Sequence, residues 1–244
     1  MQKFFVESRD IEQNDLFLTG ENARHISYSL RMAPGEKVVV CDGRGNDCVC
    51  EITGITRDTV SLRVTERLLN TAEPPYKATL YQALAKGDKM DYVVQKATEF
   101  GAARIVPFES ARCVARIRDG AAEKKTARWQ KIAEEAAKQS GRGVIPEVCA
   151  PVTFAKALDM AKSDGGCAFI CYENERSRSI AELAGKSAYS FFVGPEGGFD
   201  GSEVEAAAGA GIFPITLGPR ILRCESASGY VLAALSCMNE FCRS

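Results

Sequence analysis

The sequence of 244 residues is poor in the residues that most often build a metal centre. It contains one histidine, His25, and no two cysteines separated by two residues, so no zinc cluster of mixed histidine and cysteine ligands can be assembled. Cys48 and Cys50 are the closest pair among its ten cysteines. We therefore expect no metal, and we interpret the cysteines as reduced, mostly buried thiols rather than disulfides or ligands.

Long apolar stretches and a strong net charge are also missing. No apolar run approaches the roughly 20 residues of a membrane span, and the first ten residues lack the apolar segment of a signal peptide. These absences predict a protein of the cytoplasm that does not associate with membranes. The net charge of −1 does not indicate a nucleic-acid-binding protein, whereas the 45% hydrophobic content is ordinary for a folded chain.

Positive charge is concentrated locally, between Ala111 and Lys131. Seven basic residues lie there, among them Arg112, Arg116 and Arg118, against only two acidic ones. Such an excess is typical of a surface that contacts phosphates. A solvated helix face that binds nothing would have the same composition, so charge alone leaves both interpretations open.

Two domains are predicted, because the residue patterns change at the Asn70–Pro75 linker with its two consecutive prolines. Residues 1–70 contain short strands and one helix, Glu21–Arg31, which suggests a small barrel. Residues 74–244 alternate strands with helices, the pattern of a parallel sheet covered on both faces. The predicted fold class is therefore α/β, preceded by a small β-rich domain.

Two glycine-bearing turns in the second domain stand out. GPEGG at 194–198 follows a predicted strand that ends at Val193, and a second turn at Gly218 follows a strand over 213–217. Ligands of open α/β sheets bind outside the carboxyl ends of the strands, so both turns are placed to line one site. The pattern is neither the dinucleotide fingerprint nor a P-loop. Asp200 or Ser202 is predicted to cap the helix that follows GPEGG, with Glu203 completing a capping box.

The pair GPEGG and LGPRILRCESA, about twenty residues apart, resembles the RsmE family of 16S ribosomal RNA uridine-N3 methyltransferases, which belong to the knotted SPOUT class. The resemblance extends over nearly the whole chain. It includes ENARHISYSLR in the first domain, KGDK at 86–89, the Trp129 to Arg142 segment and Tyr172-Glu173. Lys3, where many members have arginine, and Ser226, where threonine is usual, depart from the pattern.

The resemblance implies a specific architecture and activity. Residues 1–70 would form a PUA-like β-barrel that binds RNA, and residues 74–244 a SPOUT methyltransferase domain with a mostly parallel sheet and a C-terminal trefoil knot. The cofactor would be S-adenosylmethionine, the substrate 16S ribosomal RNA in the small ribosomal subunit, and the assembly a homodimer. Alternatives are a SPOUT methyltransferase that acts on another RNA, or a ribosome assembly factor without catalytic activity.

The resemblance also selects candidate site residues. Leu217, Ile221 and Leu222 would form the aliphatic walls of an adenine pocket, and the glycines would leave backbone groups uncovered. The predicted cofactor-binding residues are Tyr172, Gly194, Pro195, Glu196, Gly197, Gly198, Leu217, Gly218, Ile221 and Leu222. The predicted RNA-binding residues are Lys3, Arg31, Lys86, Arg112, Arg116, Arg118 and Arg142.

Catalysis at uracil N3 requires removal of a proton, which leaves two chemical routes. A general base such as Glu196 or Glu225 could accept the proton. Alternatively, cationic groups beside the uracil oxygens could stabilise the developing anion. We predict the second route, with Arg112 or Arg223 as the catalytic group. His25 is interpreted as a helix residue that packs on the barrel.

Overall fold

The computed structural model describes residues 1–7, 11–116 and 120–241. It divides the chain into two compact units. Unit 1 comprises Met1–Glu73 together with Ala137–Ile145, and unit 2 comprises Pro74–Ala136 and Pro146–Ser244. None of the helices within the described ranges is both long and apolar enough to cross a membrane.

Unit 1 is built on a five-stranded sheet in the order β1-β3-β4-β5-β2. β1 pairs with β3 in parallel, and the other pairs are antiparallel. The alternation expected of a half-buried strand is clear in β2, where Leu16 and Leu18 are buried and Phe17 is exposed. The elements of this unit are β1 (Lys3–Phe5), β2 (Asp15–Thr19), α1 (Gly20–Arg24), β3 (Lys37–Cys41), β4 (Asn46–Ile55) and β5 (Thr59–Leu69).

The predicted helix over 21–31 is present in two parts. α1 continues into a π-helical turn, His25–Ser29. Ala23 and Ile26 turn into the core of unit 1. The His25 ring packs edge-on against Phe4 at a centroid distance of 5.9 Å, which agrees with a packing role for this histidine.

Residues 137–145 belong to unit 1, although the sequence pattern placed them in the second domain. Two interior cations hold them there. Lys3 donates hydrogen bonds to the Asp47 carboxylate at 2.7 Å and to the Gly141 carbonyl at 3.0 Å. Arg142, which is only 2% exposed, donates from Nε and Nη2 to the two oxygens of Glu73, at 3.2 and 2.7 Å. The segment is therefore fixed by polar contacts to residues far away in the sequence.

The Arg142–Glu73 pair is predicted to contribute strongly to the stability of unit 1. Arg142→Met leaves the Glu73 carboxylate without its cation, which is expected to lower the free energy of unfolding by about 3 kcal/mol. Urea unfolding followed by circular dichroism measures this change. Arg63→Met is the matched control, because Arg63 forms an exposed ion pair with Asp15 in the same unit, and it is expected to cost less than about 1 kcal/mol. Equal losses from both variants would contradict the assignment.

Unit 2 contains a parallel sheet in the order β12-β10-β11-β6-β7-β8, and β9 pairs additionally with β7. The predicted strand over 145–149 is reduced to the two residues of β8. The strands are β6 (Lys77–Ala83), β7 (Arg104–Glu109), β8 (Glu147–Val148), β9 (Val152–Thr153), β10 (Cys167–Cys171), β11 (Ala188–Val193) and β12 (Phe213–Ile215). The helices are α2 (Lys89–Glu99), α3 (Ala122–Gln139), whose residues from Ala137 onwards belong to unit 1, α4 (Phe154–Asp164), α5 (Gly201–Gly209) and α6 (Cys224–Ser236).

Aromatic side chains from adjacent strands fill the core of unit 2. The Tyr81 and Phe192 rings stack with centroids 4.5 Å apart, and Phe169 stacks on Phe191 at 5.8 Å. Because β11 is buried on both faces, it ends in the apolar run Phe191, Phe192 and Val193 rather than in an alternating pattern. These contacts fix β6, β10 and β11 relative to one another.

The strand order brings three loops to one edge of the sheet. β12, β10 and β11 are parallel neighbours that end at Ile215, Cys171 and Val193. The segments that follow each of them therefore leave the sheet side by side. Such an edge, outside the carboxyl ends of parallel strands, is where open α/β sheets bind ligands.

Candidate active site

A cavity of about 650 Å³ opens at this edge of the sheet. Its volume lies within the usual range of small-molecule pockets, which is about 300–1,000 Å³. It is lined by residues 171–174, 193–199 and 216–224, together with Lys89, Arg176 and Ala227. All ten residues predicted to bind the cofactor line this single cavity, as does Arg223.

The GPEGG turn is closed by a hydrogen bond from the Gly198 N–H to the Pro195 carbonyl at 2.9 Å. Gly198 has a φ of +68°, and a Cβ built on it would lie 2.6 Å from a carboxylate oxygen of Glu173. A side chain is therefore disfavoured here by the backbone conformation, and it would also displace the Glu173 carboxylate. Gly194 is also crowded, since its Cβ would lie 3.2 Å from the Phe199 ring. The turn requires glycine for its shape.

Lys89 connects two carboxylates at the cavity. Its ammonium group lies 3.0 Å from Glu196 Oε1 and 3.5 Å from Glu225 Oε2. Glu196 also accepts a hydrogen bond from the Lys86 N–H at 3.0 Å. Burial by itself raises the pKa of the Glu196 carboxyl, but backbone N–H groups and Lys89 outweigh it and lower the pKa overall. The pKa of Glu225 is lowered in the same way, against the effect of burial, by a backbone hydrogen bond, Cys224 and Lys89.

Sequence reasoning missed Lys89, although it selected Lys86 from the same KGDK motif. The two lysines differ in what they contribute, because Lys86 offers its backbone N–H and Lys89 its charge. Lys89 is the first residue of α2, soon after the carboxyl end of β6. The available signal was this position, because ligands of parallel sheets bind beyond the carboxyl ends of the strands, where the next helix begins.

The two arginines predicted to be catalytic are held differently. The Arg112 guanidinium donates to the Gly197 carbonyl at 3.3 Å and to Asp200 Oδ2 at 3.0 Å, and its side chain is about half exposed. Arg223 is the N-cap residue of α6 and is exposed. Within the described ranges, no ion pair or hydrogen bond occupies the Arg223 guanidinium. Arg112 is thus fixed against the GPEGG turn, and Arg223 is available at the cavity.

The aliphatic walls differ from the expectation at one position. Leu217 and Leu222 are half-buried and pack against the core of unit 2. Ile221, by contrast, is 88% exposed, so it lies at the rim of the cavity rather than within an apolar wall. Gly218 adopts a φ of +103°, which turns the chain between Leu217 and this rim.

Apart from Arg112, which is described above, the residues predicted to bind RNA fall into three groups. Lys3 and Arg142 are interior cations of unit 1, held by the carboxylates described above, so we no longer propose them as RNA contacts. Arg31, Lys86 and Arg116 are exposed, and Arg116 pairs with Glu109 at 3.0 Å. Arg118 lies outside the described residues.

Cys224 is a cysteine that lines the cavity. Burial raises the pKa of its thiol to about 12, and the Glu225 carboxylate, to which the thiol donates at 3.2 Å, adds to the increase. A neutral thiol at physiological pH is a poor nucleophile. Covalent catalysis by Cys224 is therefore not supported.

The thiol chemistry can be tested by alkylation. The raised pKa keeps the Cys224 thiol un-ionised at about pH 8, so iodoacetamide is expected to spare Cys224 in the folded protein and to label the exposed Cys237. Peptide mass spectrometry measures the two sites, and both should react in urea. Faster labelling of Cys224 than of Cys237 without urea would contradict the raised pKa.

Comparison with known proteins agrees with this geometry. Residues 72–236 match the profile of an RNA methyltransferase domain, and residues 18–65 match that of an RNA methyltransferase PUA domain. The chain is 36% identical to ribosomal RNA small subunit methyltransferase E of Bacillus subtilis, an alignment that covers 100% of this chain and 99% of the relative.

Two solved structures with bound cofactor are also similar. The ribosomal RNA small subunit methyltransferase E of Neisseria gonorrhoeae bound to S-adenosyl methionine superimposes with a TM-score of 0.87 at 32% identity, over 97% of each chain. A putative methyltransferase of Legionella pneumophila in complex with the same cofactor gives a TM-score of 0.85 at 30% identity, over 96% of each chain.

The fold, the cavity and these matches define an RNA methyltransferase of the SPOUT class with an N-terminal PUA-like domain. More specifically, the chain belongs to the ribosomal RNA small subunit methyltransferase E family. The predicted family and the predicted fold class are both confirmed.

Proposed function

We propose that this protein transfers a methyl group from S-adenosylmethionine to N3 of a uridine in 16S ribosomal RNA of the small ribosomal subunit. The observation that carries the proposal is the cavity of about 650 Å³ between the GPEGG turn and the 216–224 loop. Two relatives of the same fold are known with S-adenosylmethionine bound. A protein that only binds ribosomes would not need two glycine turns around a pocket of this size.

The residues of the cavity fit the proposed cofactor. Leu217 and Leu222 offer apolar surface to a flat adenine ring, and uncovered backbone groups at Gly194 and Gly218 can pair with its polar edge. The bound cofactor supplies an activated methyl group together with its own leaving group. The task of the protein is therefore to hold the acceptor nitrogen in line with that methyl group and to exclude water.

The acceptor nitrogen must lose a proton, and the charges at the cavity favour stabilisation of the resulting anion. The carboxyls of Glu196 and Glu225 have lowered pKa values and face Lys89, which makes them weak proton acceptors. Two positively charged side chains lie here: Arg223 lines the cavity, and Arg112 borders it by donating to the carbonyl of Gly197, a lining residue. We therefore assign them the role of stabilising negative charge on the uracil oxygens.

The target base must leave any helical stack to enter such a cavity. Exposed cations, including Lys86 and Arg116, would then contact flanking phosphates, which position the RNA without reading its sequence. A homodimeric assembly and a cytoplasmic location belong to this proposal as well.

Methyl transfer to different RNAs tests the substrate class. The protein is incubated with radiolabelled S-adenosylmethionine and either small ribosomal subunits that lack the modification, free 16S ribosomal RNA or transfer RNA. Label in the ribosomal samples alone supports the proposal. The sample that takes up more label, subunits or free 16S ribosomal RNA, identifies the form of the substrate. Label only in transfer RNA would indicate a different target, and cofactor binding without any transfer would favour an assembly factor.

A further inference from the structure

The carboxylate of Glu203 lies in the interior of unit 2, close to the candidate catalytic arginine. Glu203 is the third residue of α5 and is only 7% exposed. One carboxylate oxygen accepts the Ser110 hydroxyl at 3.0 Å and the Asp200 N–H at 3.0 Å, and the other accepts the Ala111 N–H at 2.9 Å. All three donors are uncharged. A buried carboxylate needs several such bonds to offset its loss of hydration.

Helix capping explains only one of these bonds. A capping box requires the N3 carboxylate to accept the N-cap N–H, which is the bond to Asp200. The bonds to Ser110 and Ala111 join α5 to the loop after β7, more than 90 residues earlier in the sequence. An exposed glutamate would cap the helix equally well. The burial of Glu203 and its two additional bonds therefore indicate a further role.

That loop carries Arg112, the next residue after Ala111. The Arg112 guanidinium reaches back to the Gly197 carbonyl and to Asp200, the N-cap of α5. Arg112 is consequently held in two ways, through the backbone that precedes it and through its own side chain. Glu203 holds the backbone beside it, and the GPEGG turn with the helix N-terminus holds its side chain.

We propose that Glu203 is a positioning residue that sets the place of Arg112 against the GPEGG turn, which lines the cavity, an inference that rests on the proposed methyl transfer. Neither Glu203 nor Arg112 belongs to the cavity lining, but the Arg112 guanidinium contacts Gly197, which does, so Glu203 is assigned to act through Arg112. Its carboxylate can accept from all three donors at once. An amide at this position keeps the volume but turns an N–H₂ group towards N–H or O–H donors, which breaks at least one bond.

A double-mutant cycle tests the coupling. Glu203→Gln is expected to lower kcat on the ribosomal substrate by about 10- to 100-fold, because hydrogen bonds to a charged group are lost, with the Kd for S-adenosylmethionine nearly unchanged. In the Arg112→Ala background the same change is expected to cost less than about 2-fold, since a residue that acts through Arg112 has nothing left to position. Glu205→Gln, an exposed glutamate of the same helix, is the matched control and is expected to leave kcat unchanged.

Hydrogen exchange provides a readout that does not depend on activity. Glu203→Ala is expected to accelerate exchange in the peptide over 110–113, because the Ala111 N–H then loses its acceptor. Equal loss of kcat in both backgrounds, unchanged exchange of that peptide, or a wild-type kcat for Arg112→Ala would each overturn the positioning role. Failure of the proposed function is recognised separately, as absence of transfer by the wild-type protein, and hydrogen exchange then still decides whether Glu203 clamps the loop.

Discussion

Gly198→Val is expected to lower the affinity for S-adenosylmethionine by more than about 100-fold. Gly198 has a φ of +68°, a conformation that a β-branched residue rarely adopts. Even the first carbon of a side chain would lie 2.6 Å from the Glu173 carboxylate, and the larger side chain must displace either Glu173 or the GPEGG turn. Because the turn and Glu173 both line the cavity, either movement changes the proposed cofactor site.

Isothermal titration with S-adenosylmethionine measures this effect. Gly201→Ala is the matched control, since Gly201 starts α5 three residues later, has no positive φ, and its added Cβ would meet no atom within 4 Å. The control is expected to bind normally. RNA affinity should remain largely intact in both variants. Equal loss of cofactor and RNA binding by Gly198→Val would count against the assignment of the cavity to the cofactor.

Arg112→Ala is expected to lower kcat on the ribosomal substrate by about 100-fold while the Kd for S-adenosylmethionine stays near normal. The magnitude is typical for removal of one group that stabilises an oxyanion in the transition state. Arg112 contacts the Gly197 carbonyl and Asp200 with two different nitrogens, a planar arrangement that lysine cannot reproduce. Arg112→Lys is therefore expected to recover only part of the lost activity.

Single-turnover methyl transfer with saturating cofactor separates this effect from weaker RNA binding. Arg116→Ala serves as the control, because Arg116 lies on the same loop, is exposed and pairs with Glu109 away from the GPEGG turn. It is expected to raise KM for RNA with little effect on kcat. A wild-type rate for Arg112→Ala would show that Arg112 is not catalytic and would leave Arg223 as the candidate.

The motifs and their positions after strands were sufficient to predict where the cavity lies. GPEGG and LGPRILR each follow an apolar strand, and parallel strands deliver their carboxyl ends to one edge. The observed order β12-β10-β11 brings the two turns together with the Tyr172 loop. The capping of α5 by Asp200 and Glu203 could be predicted as well, since a capping box depends only on residues three apart.

Contacts between distant residues were beyond sequence reasoning. Lys3 and Arg142 are basic residues of the type that contacts RNA phosphates. In the folded chain, however, they are paired with Asp47 and Glu73 in the interior of unit 1. The spacing of apolar residues cannot distinguish a buried, paired cation from an exposed one. For the same reason the additional bonds of Glu203, and the position of Lys89 between two carboxylates, became visible only in the folded chain.

The identity of the methylated nucleoside tests the central proposal most directly. Small ribosomal subunits that lack the modification are treated with the protein and S-adenosylmethionine, and the 16S ribosomal RNA is digested to nucleosides and analysed by mass spectrometry. A single new N3-methyluridine, absent when Gly198→Val replaces the wild-type protein, is the predicted result. A methyl group on another nucleoside, or no methylated product despite bound cofactor, would contradict the proposed reaction.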